Sequence, residues 1–166
     1  MDQHVPRKLY FAYGSNLYKQ QMHASDSGTG SDEYTNRCPD SVEVATYTLR
    51  EHRLTFVGQG TQRWGKGGVA TVVPAAGQAV HGALYRISAA DEELLDGMEG
   101  GYYKDEEAIT HQGEHVLMYV ATAAMGNENP PSAKYLNRIR EGYRQWGLPL
   151  EALAGIKPCE SESCLQ

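Results

Sequence analysis

Strand-forming residues fill the middle of the chain, over residues 42–87, and a glycine-rich segment at 58–68 divides them. β-Branched and aromatic side chains recur there with a period near two, as is typical of strands. One run, at 69–73, stops at Pro74, and strand character resumes over 80–87, so we expect these two runs to form a β-hairpin. Consecutive strands of this kind exclude the regular strand–helix alternation of a doubly wound sheet.

The remaining predicted elements flank this central stretch. Residues 8–13, KLYFAY, are rich in aromatic side chains and end at Gly14, which predicts a strand followed by a turn. Ser88 and Asp91 form a capping box, which predicts a helix that ends at the glycines after Glu99. Further strands are predicted at 106–110 and 115–121, and helices at 17–22, from 135 to Gly147 and at 150–156. This order of elements predicts an α+β fold built on a mixed or barrel-like sheet.

The length and composition of the chain predict one domain. A chain of 166 residues of which 40% are hydrophobic has the size of a single soluble domain, so we expect one domain over 1–166. Residues 24–36 contain almost no large apolar side chain and predict a polar surface loop. Residues 157–166 are also polar and predict a flexible tail.

Charge and composition exclude several classes of function. A net charge of −6 gives no attraction to a phosphate backbone, so we expect no nucleic-acid partner. No stretch approaches the ~18 apolar residues of a membrane helix, and the N-terminus lacks the apolar region of a secretory signal. These absences predict a cytoplasmic protein without a membrane partner. The cysteines and histidines lack metal-ligand spacing, so we expect no bound metal, and free thiols at Cys159 and Cys164.

The residues from Tyr13 to Leu17, Tyr-Gly-Ser-Asn-Leu, are the first candidate for a binding site. A strand that turns sharply into a helix leaves backbone N–H groups unpaired, and these can hold a carboxylate or an oxyanion. Gly14 lets a ligand approach the backbone closely. The alternative is an ordinary turn with Ser15 or Asn16 as its cap. Ser15 does not fit the nucleophile pattern G-x-S-x-G, because Leu17 stands where the second glycine is required.

Glu99, the last residue of the predicted capped helix, is the candidate for acid–base chemistry. The carbonyl groups at a helix C-terminus and partial burial beside Met98 both disfavour an ionised carboxylate, so we expect a raised pKa. Such a carboxyl group suits general acid–base catalysis near neutral pH. The alternative is a solvated glutamate at a helix end. The segment 58–68 does not match a phosphate-binding loop, because no serine or threonine follows Lys66. We therefore expect this segment to form a hairpin or a loop that contacts a ligand.

These motifs, in this order, resemble those of the γ-glutamylcyclotransferase family. The family signature is an aromatic strand that ends in YGSN and an apolar residue, and residues 10–17 read Tyr-Phe-Ala-Tyr-Gly-Ser-Asn-Leu. The other matching segments are WGKGGVATVV at 64–73, GALY at 82–85, LDGMEG at 95–100, PPSAKY at 130–135 and GLPLE at 147–151. Together they cover residues 9–153, which is most of the chain.

The resemblance implies a fold and a set of site residues. The implied fold is a small mixed β-barrel flanked by helices, and no cofactor or metal is implied. Glu99 matches the family's catalytic glutamate, and Tyr135 matches a tyrosine that contacts the substrate. Either Tyr102 or Tyr103 corresponds to a further tyrosine of the pocket. The loop that holds the glutamyl group is matched by Tyr10, Phe11, Ala12, Tyr13, Gly14, Ser15, Asn16 and Leu17.

The implied reaction is an intramolecular cyclisation that releases 5-oxoproline, an acyl-transfer or lyase-type step of glutathione metabolism. Asn16 distinguishes the chain from relatives with YGSL or YGTL that act on glutathione or on γ-glutamyl-amines, so the resemblance implies a γ-glutamyl-amino acid as substrate. Three alternatives stay open: removal of a γ-glutamyl protecting group from a larger amine such as an aminoglycoside side chain, a non-catalytic binding module, and a hydrolase that uses Ser15. The expected partner is the small-molecule substrate, and a homodimer is left open.

Overall fold

The computed structural model describes residues 2–23, 36–61 and 63–159 of the chain. Almost all of the predicted polar loop at 24–36, and most of the predicted tail at 157–166, lie outside the described residues. The surface position of the loop, the flexibility of the tail and the single-domain organisation over 1–166 therefore stay predictions.

A mixed five-stranded sheet forms the centre of the described structure. The strands of the described residues are β1 (Lys8–Ala12), β2 (Val42–Val57), β3 (Gly60–Thr61), β4 (Gly65–Lys66), β5 (Val69–Ile87), β6 (Tyr102–His111) and β7 (Glu114–Ala121). The sheet has the order β2-β5-β1-β7-β6, and β3 and β4 form a separate ribbon. The middle strand β1 pairs antiparallel with β5 and parallel with β7. The predicted α+β class with a mixed sheet is thus confirmed.

The sheet does not close into the predicted barrel within the described residues. β2 and β6 are its edge strands, and no ladder joins them. The start of β5 nevertheless lies near the ends of β6 and β7. The Tyr102 hydroxyl donates to the carbonyl of Ala70 (2.7 Å), and the N–H of Ala121 donates to Thr71 Oγ1 (2.9 Å). Because side chains rather than paired backbones bridge these strands, a cavity remains between them.

β5 is one continuous strand, so the predicted hairpin of 69–73 and 80–87 is wrong. Both runs pair with β2 in a single antiparallel ladder. Pro74 lies in this ladder opposite His52, beside a shift in register. The strand tolerates the proline because only residues 83–87 of β5 pair with β1 on the other edge, so the missing N–H leaves no ladder bond open there.

The α-helices of the described residues are α1 (Lys19–Met22), α2 (Ala89–Met98) and α3 (Ala133–Trp146). The predicted capping box of α2 is confirmed, since Asp91 N–H donates to Ser88 Oγ (3.0 Å) and Ser88 N–H donates to Asp91 Oδ2 (3.1 Å). α3 ends at Gly147, whose φ of 68° lies in the left-handed region that favours glycine. The last helix, predicted at 150–156, is a 3₁₀ turn over Leu150–Leu153.

α3 packs against the turn that follows β1. That turn is a 3₁₀ segment over Ser15–Leu17, and it contacts α3 at Gly142. A Cβ atom at Gly142 would lie 2.5 Å from Leu17 Cβ, so only glycine lets the helix and the turn lie this close together. Trp146 Nε1–H donates to the carbonyl of Leu17 (2.9 Å) and strengthens the same contact.

The oxidation state of one cysteine differs from the prediction. Cys38 is a free and buried thiol, whereas Cys159 is disulfide-bonded. The prediction of a free thiol at Cys159 is therefore wrong, because a disulfide requires two sulfur atoms within reach and not a large loop to close. Cys164 lies outside the described residues.

None of the described helices combines the length and apolar character that a membrane span requires. Within residues 2–23, 36–61 and 63–159, no three His, Cys, Asp or Glu side chains are grouped so as to hold a metal ion.

We expect Gly142→Ala to destabilise the protein by about 1–3 kcal/mol, although alanine favours a helix over glycine by about 1 kcal/mol. The added methyl group must displace Leu17 and the backbone of the turn. Gly97→Ala is the matched control, because Gly97 lies in α2 and an added Cβ atom there meets nothing within 4 Å. It should stabilise the protein by about 0.5–1 kcal/mol. Urea denaturation measures both changes, and two effects of the same sign would contradict the close packing of α3 on the turn.

Candidate active site

A narrow cavity, here called the inner cavity, lies at the end of β1. The turn after β1 contributes to its lining, as do β5, β6, β7, the residue after α2 and one residue of α3. The lining residues are Tyr10, Phe11, Tyr13, Gly14, Ser15, Asn16, Ala70, Glu99, Tyr102, Tyr119 and Tyr135. Among the described residues, Glu99 is the only acidic or basic side chain in this lining. The inner cavity is therefore a tyrosine-rich space around a single carboxyl group.

The Asn16 side chain fixes the turn after β1. Its Nδ2 donates to the Tyr10 hydroxyl (2.9 Å), and its Oδ1 accepts from Gln21 Nε2 (2.7 Å) and from Arg37 Nη1 (3.0 Å). Gln21 Nε2 also donates to Ser15 Oγ (2.8 Å). All of these residues are buried. Hydrogen bonds of this kind are strong in a buried network, so the turn is held in one conformation.

The backbone of the same turn offers hydrogen-bond donors to a ligand. The N–H groups of Leu17 and Tyr18 donate to the carbonyls of Gly14 and Ser15 (3.1 and 3.0 Å) and close the 3₁₀ turn. The N–H groups of Gly14, Ser15 and Asn16 donate to no other described residue. Because these three residues line the inner cavity, their N–H groups are candidate donors to a carboxylate or an oxyanion there.

Glu99 lies directly after α2, and its half-buried side chain lines the inner cavity. Burial raises the pKa of its carboxyl group to about 7, and the positive charge of Arg63 opposes the rise. The predicted direction of the shift is present, but burial and not the end of the helix is its main cause. At neutral pH the group is therefore partly ionised, as a residue that both takes and gives a proton requires.

The tyrosine hydroxyls around Glu99 hold the start of β5 in place. The Tyr135 hydroxyl accepts from the N–H of Ala70 (2.9 Å), and the Tyr102 hydroxyl donates to the carbonyl of the same residue (2.7 Å). Burial and the negative charge of Glu99 raise the pKa values of Tyr13, Tyr102 and Tyr135. These hydroxyls stay protonated at neutral pH and cannot act as bases.

The structure brings most of the residues singled out from the sequence to the inner cavity. Those that line it are Tyr10, Phe11, Tyr13, Gly14, Ser15, Asn16, Glu99 and Tyr135. Ala12 and Leu17 lie instead in the hydrophobic core, because Ala12 is enclosed in the sheet and Leu17 lies under α3. Tyr102 lines the cavity, whereas Tyr103 is 49% exposed. The catalytic and binding roles of these residues stay predictions.

A wider outer cavity of about 430 Å³ adjoins the inner one and shares Ser15, Glu99, Tyr102 and Tyr135 with it. Its other lining residues are Arg37, Thr61, Arg63, Trp64, Val69, Met98, Gly100 and Met125. The segment 58–68 thus contains the β3–β4 hairpin and also lines a cavity, the two roles that the sequence left to it. Sequence reasoning missed Arg37 and Arg63, because neither belongs to a recognisable local motif.

Comparison with known proteins identifies the family. A family model described as "Gamma-glutamyl cyclotransferase, AIG2-like" matches residues 10–143. The gamma-glutamylcyclotransferase of Mus musculus is 29% identical over 160 residues, 92% of this chain and 78% of the mouse protein. That of Bos taurus is 30% identical over 151 residues, 86% of this chain and 73% of the bovine protein.

A solved structure named gamma-glutamyl cyclotransferase has the same fold, with a TM-score of 0.74 at 28% identity over 93% of this chain and 90% of that chain. The segment that the family model matches, 10–143, contains every described residue that lines the inner cavity. The chain belongs to the gamma-glutamyl cyclotransferase, AIG2-like family, and it is an enzyme.

Proposed function

We propose that this enzyme converts a γ-glutamyl-amino acid into 5-oxoproline and the free amino acid by intramolecular cyclisation. The observation that carries the proposal is the position of Glu99, whose carboxyl group has a pKa of about 7, in a cavity that the turn after β1 also lines. The names of the similar mouse and bovine proteins support the reaction class.

The reaction exchanges one carbon–nitrogen bond for another. The α-ammonium group of the substrate first loses a proton, and its nitrogen then attacks the γ-carbonyl carbon. This attack forms the carbon–nitrogen bond of a five-membered lactam. Collapse of the tetrahedral intermediate breaks the original amide bond, and the leaving amine gains a proton. Water is not consumed, so the site needs a proton carrier and not an activated water molecule.

Glu99 carries the proton between the two nitrogen atoms in this proposal. The ionised carboxylate takes a proton from the α-ammonium group, and the protonated carboxyl group then gives a proton to the leaving amine. A pKa of about 7 allows both forms of Glu99 to exist at neutral pH. Acid–base catalysis of this kind contributes about 10²–10⁴-fold to the rate.

The turn after β1 holds the anionic oxygens of the substrate in this proposal. The N–H groups of Gly14, Ser15 and Asn16 donate to no other described residue, which supports this role. They can bind the α-carboxylate of the glutamyl group or the oxyanion that develops on the γ-carbonyl, and loss of one oxyanion donor costs roughly 10²–10³-fold in rate. A substrate held with its amine against the carbonyl gains further rate from proximity.

Hydrolysis with Ser15 as nucleophile has less support. Ser15 Oγ accepts a hydrogen bond from Gln21 (2.8 Å), and a serine nucleophile needs an adjacent base. No histidine lines either cavity in the described ranges.

Removal of a γ-glutamyl group from a larger amine would use the same cyclisation. A cytoplasmic location, a homodimer and a place in glutathione metabolism stay predictions.

We expect Glu99→Gln to lower kcat by about 10²–10⁴-fold, because glutamine cannot take a proton from the substrate. Mass spectrometry of 5-oxoproline released from γ-glutamyl-L-alanine measures the rate. Glu93→Gln is the matched control, since Glu93 lies exposed on α2 and lines neither cavity. Unchanged release by the Glu99→Gln variant would overturn the assignment of Glu99.

The stability of Glu99→Gln separates a catalytic defect from misfolding. The pKa of Glu99 is about 7 in the folded protein against an ordinary value of 4.5. The folded state therefore loses stability relative to the unfolded chain as the pH rises from about 4.5 to about 7, because the carboxyl group ionises less readily in the folded protein. Glutamine removes this cost and should stabilise the protein by up to about 3 kcal/mol at pH 8 but not at pH 4. Thermal denaturation at the two pH values measures the difference. An inactive variant that is less stable than the wild type at pH 8 would indicate misfolding.

The pH profile tests the proposed protonation state. We expect kcat/KM to fall about tenfold per pH unit below about pH 7, because ionised Glu99 is the active form. Arg63 lowers the pKa of Glu99, so Arg63→Gln should move this acidic limb to higher pH. Lys66→Gln removes an exposed cation from the same hairpin and should leave the limb in place. If the acidic limb of the kcat/KM profile lies at the same pH in the wild type, Arg63→Gln and Lys66→Gln, the proposed role of Glu99 is contradicted.

A further inference from the structure

The methionine side chains fall into a buried pair and an accessible pair. Four of the five methionines lie in the part of the chain that the structure describes. Met22 and Met118 are buried, with 0% and 1% of their surfaces exposed. Met98 is 36% exposed, and Met125 is half-buried. A peroxide has to reach a thioether sulfur in order to oxidise it, so Met98 and Met125 are the candidate sites of oxidation.

Both accessible methionines line the outer cavity, which Glu99 also lines. Met98 directly precedes Glu99 in the chain. Met125 belongs to the 3₁₀ turn Ala123–Met125, which follows β7. A chemical change at either sulfur atom therefore alters the cavity beside the proposed proton carrier.

The sulfur atom of Met125 packs against the backbone that follows Glu99. A Cβ atom at Gly101 would overlap Met125 Sδ, so only glycine leaves room for the sulfur there. The Gly101 carbonyl accepts from the N–H and from Oγ1 of Thr122 (3.0 and 2.8 Å). The Glu99 carbonyl accepts from the N–H of Tyr102 (3.1 Å). These contacts join the turn that carries Met125 to the segment that carries Glu99 and Tyr102.

Oxidation to the sulfoxide brings a polar oxygen atom into this contact. The Met125 sulfur donates an electron pair to one oxygen of hydrogen peroxide, so that an S–O bond forms as the O–O bond breaks. The other oxygen takes up the proton of the transferred oxygen and leaves as water. The sulfur is oxidised and the peroxide is reduced. Because the sulfoxide is larger and more polar than the thioether, the turn or the segment after Glu99 has to move.

The cysteine thiols of the described residues do not compete for the peroxide. The thiolate is the form that reacts, and burial raises the pKa of Cys38 well above its ordinary value. The Cys38 side chain is also inaccessible to solvent, and Cys159 is already disulfide-bonded. Within the described ranges, Met98 and Met125 therefore carry the sulfur atoms that a mild dose of peroxide reaches.

We propose that Met125 is a reversible oxidation site whose conversion to the sulfoxide by a peroxide slows the enzyme, and that oxidation of Met98 adds a smaller effect. The inference rests on the proposed function and adds a means of regulating the same site. Met125 has the larger effect because its sulfur packs against the segment that carries Glu99. Methionine sulfoxide reductases reverse the change, since they oxidise a dithiol to a disulfide and release the sulfoxide oxygen as water.

The test exposes the purified enzyme to hydrogen peroxide, removes the peroxide and measures two quantities. Peptide mass spectrometry shows which methionines have gained one oxygen atom, and we expect Met98 and Met125 to react before Met22 and Met118. Release of 5-oxoproline from γ-glutamyl-L-alanine gives kcat/KM, which should fall about 10- to 100-fold, as a misplacement of reacting groups by up to about 1 Å causes. Methionine sulfoxide reductases with dithiothreitol should restore the rate, and dithiothreitol alone should not.

Leucine variants identify the methionine that carries the effect, because leucine has nearly the size of methionine and cannot form a sulfoxide. Each variant is compared with its own untreated sample. Peroxide should lower kcat/KM far less in Met125→Leu than in the wild type, whereas Met98→Leu should keep most of the loss. Met22→Leu is the matched control, since it removes a methionine of the buried pair and should be as sensitive as the wild type.

A further variant tests the contact at Gly101 without peroxide. Met125→Gln places a polar side chain of similar length in this contact, and we expect its kcat/KM to be lower than that of Met125→Leu. Thermal denaturation of every sample sets the assay temperature below all of the unfolding transitions.

The outcomes separate the inference from the function on which it rests. An untreated enzyme that releases no 5-oxoproline would overturn the proposed function and the inference with it. An active enzyme whose rate is unchanged when Met125 carries the added oxygen would overturn the inference alone. An equal loss of rate in Met125→Leu and in the wild type would also overturn it, because another residue would then carry the effect.

Discussion

The hydrogen bonds of the Asn16 side chain connect the parts of the chain from which the candidate site is built. They join Asn16 to β1 through Tyr10, to α1 through Gln21, and to the residues before β2 through Arg37. An amide side chain offers both donors and an acceptor, so one residue can make all of these bonds. The same bonds hold the turn, which lines the inner cavity, and Arg37, which lines the outer cavity. In the proposed function, binding of the glutamyl group therefore depends on one buried network.

Local patterns in the sequence predicted the elements that depend on local chemistry. The capping box at Ser88, the glycine that ends α3 at Gly147 and the turn after β1 could be predicted because each depends on neighbouring residues. The raised pKa of Glu99 was also predicted in direction. Burial, one of the two causes predicted for the shift, is its main cause, but its extent depends on strands distant in sequence and could not be predicted.

The remaining features depend on tertiary contacts that no local pattern records. Pro74 predicted the end of a strand, yet the strand continues because its other edge is unpaired with β1 at that point. Arg37 and Arg63 reach one cavity from separate segments, so their relation to Glu99 could not be predicted. Leu17 belongs to the family motif but packs under α3 and does not line the inner cavity. A motif contains residues that build the turn as well as residues that bind a ligand.

In the proposed reaction the substrate's own amine attacks the γ-carbonyl carbon, and Glu99 moves the proton. The most direct measurement is a reaction of γ-glutamyl-L-alanine in H₂¹⁸O with mass spectrometry of the glutamyl product. Cyclisation predicts 5-oxoproline that carries no ¹⁸O, because water does not take part. Glutamate with ¹⁸O in its γ-carboxylate would show attack by water and would contradict the account.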